Sequence, residues 1–180
     1  MTLRTLIIVT LGALVVLSTP AVRADSRLLH RASQAIILRG TIKGMGIRRM
    51  TNPDGGALYH WKGHGTVRPL GVVSGRGTNH AVGFISQGTP TGTMTLTSTA
   101  GSIKLKITYD QTRGFAPLPT HGLYTITGGT GQYAGAHGSG SVLRHQGTCS
   151  GGTSSGQCPI GATFPVTYQF TSGTGAKAKG

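Results

Sequence analysis

The sequence predicts an all-β domain, a single closed antiparallel barrel of about eight strands, and three observations carry that reading. Apolar residues alternate with polar ones in several stretches, as in Tyr124 and Ile126 against Thr125 and Thr127, the period of a strand with one buried face. Glycine makes up 31 of 180 residues, against a usual share of about 7%, and it recurs inside the strand-like stretches, where it permits tight coiling. No convincing amphipathic helix follows residue 34. A two-layer sandwich is the rival architecture, and the in-strand glycines favour closure over it. Disorder, the other reading of a Gly-, Ser- and Thr-rich chain, gives no reason for the alternation.

Residues 1–24 have the three parts of a secretory signal: Arg4, the apolar run Leu6 to Leu17, and Val22-Arg23-Ala24 as an A-x-A-like cleavage site. That run is shorter than the roughly 20 residues a membrane-spanning helix needs, and no later stretch is apolar enough to span. Residues 25–34 read as a basic N-terminal arm, 35–172 as the barrel domain and 173–180 as a disordered tail.

Within the domain, Ala35 to Lys43 has the β-branched content of a first strand, ending near Gly44-Met45-Gly46. Thr51 to Gly56 is a turn by its Asn-Pro-Asp-Gly-Gly chemistry, and Leu58 to Val67 is the second strand. Gly71 to Gln87 offers two short strand pieces. Thr93 to Asp110 is the clearest hairpin: Met94 and Leu96 share one face before Ala100-Gly101, Ile103, Leu105, Ile107 and Tyr109 share one face after it, and Lys104 and Lys106 point to solvent. Phe115 to His121 is a proline-bounded loop leading into Gly122 to Val142, where the strand Tyr124 to Thr127 meets the corner Gly128-Gly129-Thr130-Gly131. The last strand is Thr163 to Thr171, with Phe164, Val166, Tyr168 and Phe170 in phase, and Pro165 asks for an edge or a bulge there.

Charge and cysteine content narrow the functional classes. Charged residues are 11% of the chain, glutamate is absent, and without the signal 15 basic residues face three acidic ones, a formal +12. Such a field attracts polyanions, and the segment from Arg27 to Arg49 is its densest part. Aromatic residues interleave with basic ones only at Tyr59-His60-Trp61-Lys62, which is little for stacking on single-stranded nucleic acid. Cys149 and Cys158, the only cysteines, read as a disulfide closing a flexible Ser- and Gly-rich ring in an exported protein. A metal or redox site is the rival reading of the pair, disfavoured by its spacing.

Catalytic chemistry finds few candidates. Paired carboxylates are almost excluded, since only Asp110 lies near a strand end, beside Arg113. His121 and His137 flank the central hairpin and could handle protons at a cavity mouth, without an identifiable nucleophile. His60 and His64 share a strand face but stand too far apart to chelate one ion, so no metal and no cofactor is expected. Gly129-Thr130-Gly131 lacks the following helix that a phosphate loop needs.

At Thr125 to Ala136, with Gly128, Gly129, Thr130 and Gly131 followed by Gln132, Tyr133 and Ala134-Gly135-Ala136, the chain resembles the allene oxide cyclase barrel-like superfamily, including its plant dirigent members, and more closely exported bacterial proteins with a GGTG, aromatic, AGA pattern. His64-Gly65-Thr66 to Pro69-Leu70-Gly71 resembles an early strand of such proteins. The resemblance implies an eight-stranded barrel whose lumen can hold a hydrophobic molecule, often in a trimer. It carries no activity across, because the cavity carboxylates of those enzymes have no counterpart here.

Together these readings lead to an exported, non-enzymatic barrel binding a small hydrophobic ligand or an envelope or extracellular partner. Tyr109, Tyr124, Ile126, Tyr133 and Tyr168 are its cavity candidates. The alternatives are a cyclase- or isomerase-type or dirigent-like enzyme in the same cavity, and a polyanion binder acting through the segment Arg27 to Arg49.

Overall fold

Alternation and in-strand glycine produce one continuous sheet. The computed structural model describes residues 35–51, 56–82, 88–110, 120–151 and 158–171, and every regular element among them is a strand. The strands are β1 (Arg39–Thr51), β2 (Ala57–Arg68), β3 (Gly71–Ala81), β4 (Thr91–Ser98), β5 (Gly101–Tyr109), β6 (Thr120–Gly131), β7 (Gly138–Gln146) and β8 (Thr163–Thr171). Each pairs antiparallel with the next, and β8 closes on β1, so the sheet is a barrel without an edge. Up-and-down order puts Pro69-Leu70, Thr99-Ala100 and residues 132–137 at one end, the short-turn end. The strand ends Thr51 and Ala57, Ala81 and Thr91, Tyr109 and Thr120, and Gln146 and Thr163 lie at the other end, called the long-loop end for the longer sequence separations between them.

The hydrophobic phase sorts the two faces. In β5, Ile103, Leu105, Ile107 and Tyr109 are buried while Lys104, Lys106 and Thr108 are exposed; in β8, Phe164, Val166, Tyr168 and Phe170 are buried. Near the short-turn end the interior holds Leu38, Ile42, Val67, Leu96, Ile103, Tyr124 and Phe170. Burying such side chains supplies the main driving force for folding.

Several inward positions are glycine, and they do two jobs. Along β1 and β2 the backbones approach so closely that a Cβ on Gly44, Gly63 or Gly65 would strike the facing strand's carbonyl oxygen. Elsewhere glycine leaves room for a ring: a Cβ on Gly140 would lie 2.6 Å from the Tyr124 hydroxyl, and one on Gly46 would enter the Phe164 ring. The sequence suggested the first role, curling, and only the packed barrel reveals the second.

Three sequence expectations are corrected. The first strand does not stop at Gly44; β1 begins at Arg39 and continues to Thr51, because Gly44 and Gly46 pair with Gly63 and Trp61 on one side and with Val166 and Phe164 on the other. The first of the two pieces read between Gly71 and Gln87 is the strand Gly71–Ala81, paired along its length with β2; Phe84 and Ile85, of the second piece, lie outside the described residues. The run from Gly128 to Gly131 does not end its strand. It pairs with Gly101 to Lys104, Thr127 is the extra residue of a bulge, and the chain reverses only after Gly131, whose φ of +60° suits glycine. Pro165 meets no edge, since none exists; its carbonyl accepts the Gly147 amide (2.8 Å), so the position that lacks an N–H faces the sheet just past the end of β7. The signal segment, the basic arm and the tail lie outside the described residues.

Candidate functional site

Two surfaces could carry function, the inside of the barrel and its outer wall. Of the cavity candidates, Tyr109, Tyr124, Ile126 and Tyr168 point inward and are at most 4% exposed. Tyr133 does not join them: it is half-buried in the turn after β6, packed against the core. The inward rings touch one another. Trp61 lies 4.4 Å from Tyr168 between centroids, Tyr59 meets Phe164 edge-on at 5.5 Å, and Tyr124 meets Phe170 edge-on at 5.6 Å.

Towards the long-loop end the interior turns polar. The Tyr109 hydroxyl donates to Asn79 Oδ1 (2.7 Å), and Asn79 Nδ2 donates to the Tyr168 hydroxyl (2.6 Å), all three residues being buried. Arg144, 1% exposed, donates to Gln146 Oε1 (2.6 Å) and sets its guanidinium 5.9 Å from the centre of the Phe164 ring. Gln146 Nε2 in turn reaches Cys158 Sγ (3.3 Å), and Arg48, half-buried, donates to the Cys158 carbonyl. Cys149 and Cys158 stand at disulfide distance, 5.5 Å between Cα atoms. Cys158 is thereby tied to Arg48 directly and to Arg144 through Gln146.

Burial sets the protonation of this interior. It pushes the Tyr109 phenol well above its ordinary value near 10, neighbouring Tyr168 adds to the rise, and Arg144 pulls it back. Burial likewise raises Tyr59 against the pull of Arg48 and Arg144, and raises Tyr124 against the hydrogen bond it accepts from the Leu38 amide (2.8 Å). At neutral pH these phenols keep their protons; the Tyr109 hydroxyl donates to Asn79, and the Tyr124 hydroxyl accepts from the Leu38 amide.

The proton-handling candidates lie elsewhere. Asp110, His121 and His137 are exposed. Asp110 and His121 sit together at the long-loop end, joined by a backbone hydrogen bond of 2.9 Å, whereas His137 is at the short-turn end, bridged to Ala35. His60 and His64 are exposed on the outer face of β2. Among the described residues no three His, Cys, Asp or Glu side chains come close enough to hold a metal ion.

Sequence reading missed Arg48, Asn79, Arg144 and Gln146. The last two were legible in principle, because both are in phase with Val142 in β7, a strand not assigned beyond that residue.

The outer wall is basic. Arg39, Lys43, Arg49, Lys62, Arg68, Arg76, Lys104 and Lys106 are all exposed, and Asp110 is the one acidic side chain among the described residues. Much of the densest basic segment, Arg27 to Arg49, is therefore sheet: Arg39, Lys43 and Arg49 sit on the outside of β1 and Arg48 is half-buried, while Arg27 and Arg31 lie outside the described residues. No protein-family profile, curated protein or solved structure matches the chain.

Proposed function

We propose that this is an exported, non-enzymatic binding barrel that meets an anionic envelope or extracellular partner on its outer wall, on a scaffold of the allene oxide cyclase barrel-like type. The division between the two faces of the sheet carries the reading. Inside, the side chains already occupy one another's contacts, so a ligand would have to displace Tyr124, Tyr168 or Phe170 from packing worth several kcal/mol in all. Outside, eight cations face solvent, where a partner's charges can reach them without desolvating a core. The signal-like residues 1–24 and the cysteine pair at disulfide distance support export.

The test is retention of the mature protein on a sulfated resin as salt rises. Retention that collapses with salt, and that survives deletion of residues 25–34, is the expected result. Elution in the wash at low salt would end the proposal.

A second reading, a small-molecule barrel with or without cyclase- or isomerase-type chemistry, draws on the buried Tyr109–Asn79–Tyr168 chain and Arg144, which could hold the polar end of an amphiphile. Native mass spectrometry of protein purified from its own host separates the two. A retained small molecule favours this second reading, and the same spectrum counts the copies per assembly, a trimer being what the family resemblance implies.

A further inference from the structure

The register of the sheet gathers outer-wall cations into one row. Lys62 of β2 stands directly opposite Arg76 of β3, Arg76 is opposite Thr95 of β4, and Thr95 is opposite Lys104 of β5. Lys62, Arg76 and Lys104 are exposed. Adjacent strands lie about 4.8 Å apart, so the cations fall at steps of about 5 and then 10 Å around the barrel. Two residues along, the next row runs from His60 through Thr78 and Thr93 to Lys106, and on the other side Lys43 faces His64.

Two features mark this row as more than a solvated surface. Like charges directly opposite across strands destabilise a sheet by a few tenths to about 1 kcal/mol, yet Lys62 faces Arg76 with no acidic side chain among the described residues near them; Arg39 faces Arg68 in the same way, but only the Lys62–Arg76 pair runs on, through Thr95, to a third cation. The position between Arg76 and Lys104 carries the Thr95 hydroxyl, and the next row carries Thr78 and Thr93, whose hydroxyls bond each other (2.9 Å), so hydroxyl groups line the row for an oxygen-rich partner.

We infer that this row is a docking track for a linear acidic polysaccharide, lying across β2 to β5 rather than along a strand. The inference rests on the outer-wall reading above and names its partner. Charge complementarity selects a polyanion. The absence of stacking surface selects among polyanions: Tyr59 and Trp61, the aromatics of β2, point into the barrel, and the outward residues of β2 to β5 among the described residues include no Phe, Tyr or Trp. Nucleic-acid tracks without sequence preference rely on such rings, whereas sulfate and carboxylate groups on a sugar chain need only cations and hydroxyls.

The experiment compares two double variants of the mature protein, K62Q/R76Q and R39Q/R68Q. Each removes two exposed cations that stand opposite each other across one strand pair, in the row or at the short-turn end. Binding to size-fractionated heparin fragments is measured at fixed salt, alongside a DNA oligonucleotide of equal charge and anionic vesicles. K62Q/R76Q is expected to weaken heparin binding by about tenfold, the worth of two exposed ion pairs at about 0.7 kcal/mol each, with R39Q/R68Q within about twofold of the parent. An equal loss in both variants would overturn the track while leaving the outer-wall reading in place, as would tighter binding to DNA or to vesicles than to heparin. No binding to any polyanion would remove both.

Discussion

The two ends of the barrel are built on different principles. At the short-turn end the interior is Leu38, Ile42, Val67, Leu96, Ile103, Tyr124 and Phe170, and tight connections close the hairpins. At the long-loop end the same sheet encloses Asn79, Tyr109, Arg144 and Gln146, with the cysteine pair holding the connection above them. Burying an arginine is expensive, and replacing buried polar clusters by well-packed apolar groups is often neutral or stabilising. One end thus supplies stability through packed area, whereas the other depends on each polar group keeping its particular partner.

Removing a ring from the apolar end should have the largest effect. Phe170→Ala leaves a cavity beside Tyr124 and is expected to lower unfolding stability by about 3–5 kcal/mol, read as a shift of the denaturant midpoint. A loss below about 1 kcal/mol would mean that the end collapses around the gap and is not the rigid half.

Cys158→Ser tests the latch at the other end. Opening a ring of about ten residues is expected to cost about 2.5–3 kcal/mol. If the polar end depends on its partners, hydrogen exchange should quicken at the ends of β7 and β8 nearest the long loops and not at Leu38 or Tyr124. Uniform quickening would erase the distinction.

Asn79→Ala strips a partner from the two tyrosine hydroxyls and is expected to cost about 1–3 kcal/mol. Asn79→Asp keeps an acceptor for Tyr109 and loses the donor to Tyr168, so comparison of the two variants separates the bonds.

Alkaline pH addresses both ends together, because Tyr109 and Tyr124 both have raised pKa values. The folded state holds their protons more tightly than the unfolded chain, so their contribution is complete below pH about 10 and is lost as pH rises beyond it. Tyrosinate absorbance should therefore appear together with unfolding. Tyrosines that all titrate in a still-folded barrel would contradict the burial assigned to them.

The smallest expected effect is on the outer wall. Lys62→Gln should change stability by less than about 0.5 kcal/mol, with relief of the facing Arg76 as the direction. A large loss would show that the row is structural.

Much of this barrel was legible because a strand's period is two and its faces follow from it. Ile103, Leu105, Ile107 and Tyr109, and Phe164 to Phe170, face inward as their alternation predicts, and the glycine content anticipated a sheet able to close on itself. Glycine also misled at Gly44 and Gly128, where it was read as punctuation although its backbone pairs like any other. The class of element, the sign of the surface charge and the inward phase of most strands can be read along the chain, because these are local properties of composition and period. Register, closure and the level at which each side chain meets its neighbours were decided only by the tertiary structure. Asn79 finds Tyr109 and Tyr168, and Lys62 lines up with Arg76 and Lys104, through pairings between distant segments that no local pattern records.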